Sequence, residues 1–401
     1  MTDPRSQIYP EERVEVLRNF GPQPISSRFT RQPGDDTFRQ NLRLALCRKS
    51  GLVQLAETFP PEELRPRVPW ITAFEPEGHL DDLADVIASL PGLTSDSVVA
   101  GYSSKDDTTL RRLSERGFTN QWRLDPATDL GILDPCAFVE TFQLQFIAGT
   151  AAGAADLRGQ PKLFFVRHVL EHSYDLAGFL RAAGDVVTAD GYVVFEVPDC
   201  TRALDSLDYT TLWEEHSVYF TPLTFREALQ AANLEPIFSN VYPHPFENCM
   251  VAVCQKREVG RKEIPEADLA AECERARRFA AKFPGLTSAL REGLQKMRES
   301  GSRMALFGAG HLAVAFLSLH NLGDFFEFVV DDNPHKSDLF LPGSDLPIRK
   351  SASLIDERVD ICLLSLNPES EEKVISKNQS FLAAGGKFLS IFPASDRYFG
   401  A

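Results

Sequence analysis

The chain has 401 residues, 43% hydrophobic and 25% charged, with a formal net charge of −15. That length exceeds what one compact core accommodates and predicts two or three ordinary globular domains. The acidic balance argues against nucleic acid or an anionic membrane surface as partner, and no apolar run reaches the roughly 18 residues that span a bilayer.

In chain order, residues 1–40 are polar and rich in Pro, Arg and Gln, and read as irregular. The N-terminus lacks the apolar core of a signal peptide, so a cytoplasmic protein is expected. "NLRLALCRKSGLVQLAETFP" (41–60) predicts a hairpin turning at "RKSG". "EGHLDDLADVIASL" (77–90) has Leu80, Leu83, Val86, Ile87 and Leu90 at helical spacing, with acids early, where the helix dipole favours them.

From residue 97, strands and helices alternate. "SVVAGY" is a strand, "TTLRRLSERGF" a helix, and "TNQWRLDP" a strand. "PKLFFVRHVLEH" is a strand running into a helix, and "DLAGFLRAAGDVVTADG" is a helix. "YVVFEVPD" is a strand, "TPLTFREALQAANLEP" a helix with Thr221 as N-cap, and "MVAVCQK" a last strand. This order predicts a doubly wound, mostly parallel sheet. Residues 261–300 read as a charged helical connector broken at Pro284–Gly285. A second Rossmann-like unit begins at "RMALFGAGHLAVAFL" and continues through "FEFVVDDNP", "VDICLLSLNP" and "KFLSIFP".

Four stretches carry residues suited to chemistry. Gly308 and Gly310 permit a tight turn into a helix whose N-terminus favours an anion, although two glycines equally serve simple packing. Asp331 and Asp332 lie about 20 residues on, where a ribose-binding acid falls, and the following Asn-Pro turn explains their polarity as well. Arg167, His168, Glu171 and His172 cluster where a strand ends. The two histidines lie four residues apart, so a helix there presents both on one face, but a metal site would need a third ligand. His216 follows two acids and precedes two aromatics, a setting that tunes a general base or simply satisfies a buried imidazole. The seven cysteines contain no C-x-x-C pair, and buried reduced thiols are expected.

Taken together, "SGLVQL", "LDP", "RHVLEH", "FEVPD", "EEHSVYF" and "FGAG…VVDDNPHK…LPGSDLPI" resemble the nucleotide-sugar C-methyltransferases over roughly residues 40–401. That resemblance implies a small N-terminal lobe (1–80), an S-adenosylmethionine (SAM) methyltransferase-like Rossmann domain (81–257), a helical connector (258–300) and a Rossmann-like C-terminal domain (301–401). It implies SAM as methyl donor and a nucleotide-linked ketosugar as small-molecule partner. It places His216 as base with Glu215 orienting it. Gly101, Ser103, Ser104, Asp106, Asp125, Arg167 and His168 fall at the cofactor. His172, Glu196, Trp213, Tyr219, Asn248, Gly308, Gly310, His311, Asp331, Asn333 and Lys336 fall at the sugar nucleotide.

The chain departs from the family pattern at several points. The zinc lobe uses paired cysteines, whereas only Cys47 is present here and Ser50 stands at the next position, so no zinc or other metal is expected. The SAM turn, near G-S-N-D-G-T in the family, is Ser103, Ser104, Lys105, Asp106, Asp107, Thr108. Trp213 replaces a tyrosine ahead of Glu215–His216. "FENC" (246–249) replaces His-Gly-Gly-Ser, and His311 or its neighbours occupy the position of a lysine. Three readings follow. The chain is an active C-methyltransferase working through an enolate, a SAM-independent ketosugar isomerase or epimerase that keeps His216, or a non-catalytic binding or scaffold protein.

Overall fold

The computed structural model describes residues 3–68, 70, 75–134, 136–137, 143–257 and 263–400. Residues 258–262, the expected start of the connector, lie outside them. The chain forms two compact units. The first comprises 1–15, 45–201 and 215–273, and the second 16–44, 202–214 and 274–401.

The first unit is built on a six-stranded sheet. Its strands are β4 (Val99–Gly101), β5 (Gln121–Arg123), β6 (Leu163–Arg167), β7 (Tyr192–Asp199), β9 (Leu234–Tyr242) and β10 (Asn248–Lys256), in the order β5-β4-β6-β7-β10-β9. The first four run parallel, and β10 is antiparallel to both β7 and β9. Side chains alternate between two buried faces. Phe164, Val166, Val193, Phe195, Met250 and Ala252 enter one core, while Leu163, Phe165, Tyr192, Val194, Val251 and Val253 enter the other. Helices on both faces supply the remaining apolar surface, the doubly wound arrangement expected. β9 has no counterpart in the sequence reading. It is an edge strand with a mostly half-exposed pattern, so its sequence lacks the apolar run that marks its neighbours.

The "RKSG" hairpin forms in this unit. Cys47 N donates to Leu52 O at 2.9 Å, and Gly51 has φ 77°, the left-handed conformation glycine favours. β3 (Val53–Leu55) pairs antiparallel with β8 (Val218–Tyr219). The Pro222–Ala231 helix begins as predicted, Thr221 Oγ1 accepting from Thr224 N.

The second unit carries five parallel strands. These are β11 (Met304–Phe307), β12 (Val329–Val330), β13 (Ile348–Arg349), β14 (Ile361–Leu364) and β15 (Lys387–Ser390), in the order β13-β12-β11-β14-β15. The fold is therefore α/β with two Rossmann-like sheets, the first mostly parallel and the second wholly so.

Three sequence expectations are corrected. Residues 1–40 are not irregular throughout, because β1 (Glu15–Gln23) runs beside β2 (Gln40–Leu46). β1 is an edge strand, where its Gly21–Pro22 pair is tolerated. The connector does not break at Pro284–Gly285. One helix spans Glu266–Glu299 with Pro284 inside it. Proline lacks the N–H that would bond the carbonyl four residues back, and Arg18 Nε donates to that carbonyl, on Ala280, instead. Finally, β6 does not run into a helix. A single 3₁₀ turn, Leu170–His172, follows it, and His168 takes φ 49° between them.

Candidate active site

The carboxyl ends of β4–β7 set the site, where doubly wound sheets hold ligands. After β4 the chain enters a capped turn. Ser103 N donates to Asp106 Oδ2 at 2.8 Å while Ser103 Oγ accepts from Lys105 N at 3.2 Å. A side chain at Gly101 would place its Cβ 2.9 Å from that of Asp106, so the buried acid requires glycine there. Ser103 is extended (φ −142°) and Asp107 helical (φ −55°), so neither position needs glycine for its backbone. The Asp107 carboxylate pairs with Arg123 Nη1 at 2.9 Å. Ser104 opens the 3₁₀ turn behind Ser103.

Asp106 also accepts from Arg167 N at 3.1 Å. Burial lifts its carboxyl to about 7, over the opposing effect of these bonds and the Arg167 charge. Asp125 follows β5 and caps the next turn. Its Oδ1 accepts from Ala127 N, Thr128 N and Thr128 Oγ1, and Oδ2 takes none of these bonds. The bonds from Thr128 lead in holding this carboxyl below its ordinary value.

A buried ionic cluster lies at the end of β6. Arg167 and Glu196 face each other in register on β6 and β7, with side chains 1% and 0% exposed. The guanidinium binds both carboxylate oxygens, at 2.7 and 3.0 Å, and Nη1 donates to Lys105 O at 2.5 Å. The left-handed turn at His168 aims its ring back at carboxylates. Nε2 lies 2.9 Å from Glu196, and Nδ1 lies 3.5 Å from Glu75 and 3.4 Å from Glu171. Burial alone would lower the His168 pKa, but Glu75 foremost, then Cys249, Glu171 and Glu196, hold it well above the ordinary value. Glu196 is held well below the carboxylate range, Arg167 and the histidines outweighing burial. Glu75 falls to about 2 against its own burial, under the charges of His168 and Lys105. Lys105 Nζ binds Glu75 at 2.8 Å and His168 O at 2.9 Å.

Beside this cluster, His172 and His216 meet edge to face, with ring centroids 4.8 Å apart and planes at 83°. His172 Nδ1 lies 3.0 Å from Glu215 O. A carbonyl only accepts, so that nitrogen carries the proton and Nε2 holds the lone pair. Burial, then the His216 charge, keeps His172 well below the ordinary histidine value, so it is neutral near pH 7. His216 is half-buried. A Glu171 carboxylate oxygen lies within 4.8 Å of a nitrogen of each histidine, and Glu171 Oε2 is buried with no hydrogen bond. Tyr219, fully buried on β8, stands 6.3 Å from His216. Asn248 Nδ2 donates to Asp199 Oδ2 at 3.4 Å, across the β7–β10 pair.

The remaining candidates lie in the second unit. Gly308 has φ 105°, and a Cβ there would sit 2.5 Å from Leu366 Cδ2. Gly310 is extended with open space at its Cβ. Asp331 closes the turn, accepting from Ala309 N at 3.1 Å, Asn333 N at 2.9 Å and Lys336 Nζ at 2.9 Å. Asn333 caps the following 3₁₀ turn. Trp213 Nε1 donates to Ser26 Oγ at 3.0 Å, and its ring stacks on His311 at 4.4 Å and 17°. Burial lowers His311 to about 4.

The sequence reading placed Arg167, His168, Glu171 and His172 where a strand ends, and the structure has them at and just after the end of β6. It gave no role to Glu75 or Lys105. Glu75 lies outside any quoted motif, and only folding brings it to His168.

Two family profiles match in tandem. A methyltransferase-domain profile covers residues 62–237, and a C-methyltransferase C-terminal-domain profile covers residues 255–393. With this domain content, the chain is an enzyme of the SAM-dependent C-methyltransferase class. It is 24% identical over 366 residues to the C-methyltransferase NovU of Streptomyces niveus, covering 88% of this chain and 86% of that protein. Among solved structures, it is similar to the 1,6-didemethyltoxoflavin-N1-methyltransferase of Burkholderia thailandensis, with 13% identity, 44% of this chain and 77% of that chain covered, and a TM-score of 0.29. It is also similar to a SAM-dependent methyltransferase from Aquifex aeolicus, with 12% identity, 50% and 100% coverage, and a TM-score of 0.29.

Proposed function

We propose that the protein methylates a carbon beside the ketone of a nucleotide-linked sugar, using SAM. The observation that carries this reading is the His172–His216 pair, a neutral imidazole edge to face with a half-buried one. His216 removes the proton from the carbon beside the ketone, and the electron pair moves into an enolate. His172, its Nδ1 proton fixed on the Glu215 carbonyl, stays neutral beside His216 and does not compete for charge. SAM would supply the methyl, its sulfur–carbon bond breaking and S-adenosylhomocysteine leaving as the new carbon–carbon bond restores the ketone, and His216 passes its proton to solvent.

The residues present fit SAM, which supplies the electrophilic methyl. Asp125 Oδ2, outside the capping bonds, accepts from a ribose diol. The turn from Gly101 to Asp106 keeps its shape without the family's glycines, and Arg123 offsets the added charge of Asp107. Arg167 and His168 act through the turn, holding it to β6 and β7. In the second unit, the Gly308–Gly310 turn, with open space at Gly310 ahead of a helix N-terminus, suits an anionic group such as a nucleotide phosphate.

Calorimetric titration with SAM and S-adenosylhomocysteine tests the first half of the reading. Micromolar binding is expected, and no binding at millimolar ligand overturns it. Incubating a nucleotide-linked 4-ketosugar in heavy water tests the second half. Deuterium should enter at the carbon beside the ketone, and an unlabelled sugar after full turnover conditions refutes the substrate class.

A further inference from the structure

Beside Glu196, three side chains outside the proposed chemistry converge. His79 precedes the Leu80–Ala88 helix, His244 lies in the β9–β10 connection, and Cys249 lies on β10. One nitrogen from each histidine and the Cys249 sulfur all lie within 4.8 Å of one another. We propose that His79 Nδ1, His244 Nε2 and the Cys249 thiolate bind a divalent transition metal ion, zinc by preference, leaving a fourth position for an exchangeable oxygen ligand.

The spacing supports it. Zinc–nitrogen bonds of about 2.0–2.1 Å at the tetrahedral angle separate two nitrogen ligands by about 3.3 Å. His79 Nδ1 and His244 Nε2 stand 3.2 Å apart. A zinc–sulfur bond of about 2.3 Å puts sulfur about 3.6 Å from each nitrogen, so Sγ moves at most about 1.2 Å from its present bound of 4.8 Å. The donor set, two imidazoles and a thiolate, suits zinc and matches the three-ligand sites that keep a position open.

The surroundings support it too. His79 Nε2 faces Glu196 Oε2 at 3.3 Å, the carboxylate–histidine arrangement that fixes a metal-binding tautomer and frees Nδ1 to ligate. Tyr242 stacks on the His79 ring at 4.6 Å and holds its plane. His168 Nε2 is also 4.0 Å from Cys249 Sγ. Both of its nitrogens already face carboxylates, which makes it a poorer ligand than His244. Burial keeps the Cys249 thiol protonated without the ion. Binding therefore breaks the S–H bond, forms the S–metal bond and releases the proton to solvent, so affinity rises with pH.

The test uses the full chain, stripped with a chelator and titrated with cobalt(II), then with zinc(II) in competition. One equivalent of cobalt is expected, with the intense visible bands of a tetrahedral site and a thiolate charge-transfer band. C249S should lose the charge-transfer band. H244A, in a connection rather than a core strand, should weaken cobalt binding at least tenfold. H216A should keep band and affinity, which separates this site from the Glu171–His172–His216 group. Absence of stoichiometric binding, a charge-transfer band retained in C249S, or a band lost in H216A each overturns the proposal. No methyl donor or sugar enters the assay, so its failure leaves the methyl-transfer reading standing.

Discussion

Replacing the His216 imidazole with a methyl group removes the proton acceptor while the Glu215 carbonyl, being backbone, still receives His172 Nδ1. H216A should therefore lower the methyl-transfer rate by about 10²–10⁴-fold, the range of a lost general base. SAM affinity should change little, which calorimetry and single-turnover kinetics resolve together; an unchanged rate refutes the assignment. Asp106 offers a second residue-scale test. Its folded pKa, about 7, lies above its unfolded value of 3.8. The native state thus holds the proton longer, and stability falls as pH rises from about 4 to 7. Asn cannot ionise, but it replaces one of the two accepting oxygens with a donor, so D106N should be the less stable protein at low pH and its deficit should narrow as pH rises across that window. Unfolding midpoints at pH 5 and pH 8 decide it, and a deficit that widens at pH 8 contradicts the sign. The resemblance places Arg167 at the cofactor, and in the fold its guanidinium pairs with Glu196 one strand away.

At the scale of elements, the Glu266–Glu299 helix joins a local rule to a distant residue. Pro284 and Gly285 read as a break because proline frees the Ala280 carbonyl. The helix continues because Arg18, on β1, supplies a donor to that carbonyl and lays its guanidinium 5.7 Å from the Phe283 ring centroid. R18A should destabilise the protein by about 1–3 kcal/mol, the cost of a buried acceptor left unpaired. In a P284A background the restored N–H reclaims the carbonyl, and the R18A penalty should shrink. A double-mutant cycle by urea unfolding measures the difference, and a penalty equal in both backgrounds removes Arg18 from this role. The same dependence on context explains β9 and the turn after β6. β9 has too few buried positions to announce itself. "RHVLEH" has helical composition but bends at His168, where three carboxylates hold the ring.

Over the whole molecule, histidine burial sets the response to acid. His172 titrates well below its ordinary value, and burial takes His311 and His320 to about 4. For each, the unfolded chain, near 6.5, takes up its proton first as pH falls, so stability is intact above about 6.5 and lost as pH falls toward the folded value, about 4 for His311 and His320. His168 has the opposite sign: its contribution is present below 6.5 and lost only as pH rises through its raised folded value. Asp106 works against the three imidazoles, stabilising as pH falls from about 7. Burial raises Asp208 and Glu214 too, so buried carboxyls and imidazoles oppose each other over this range. H311Q removes one imidazole, so its melting temperature relative to the parent should rise as pH falls from 6.5 to 4.5, and a difference that stays constant overturns the role given to His311. Among the described residues no helix is long and apolar enough to cross a membrane.

The period of apolar residues was enough to predict both parallel sheets. Strands buried on two faces write themselves as unbroken apolar runs, as in "LFFVR", "YVVFEV" and "RMALF". The order of short motifs around them was enough to indicate the methyltransferase class, because chemistry at strand ends leaves polar residues directly after those runs. The sequence could also show that Ser103 and Asp107 replace glycine. Only the tertiary structure decides what that costs, since backbone angles and the Arg123 partner are not written locally. The same holds for Glu75 beside His168, Arg18 beside Ala280, and Cys249 beside two histidines. Each joins residues tens to hundreds of positions apart, and the electrostatics of a buried group depends on which partners share its low-dielectric surroundings rather than on its neighbours along the chain.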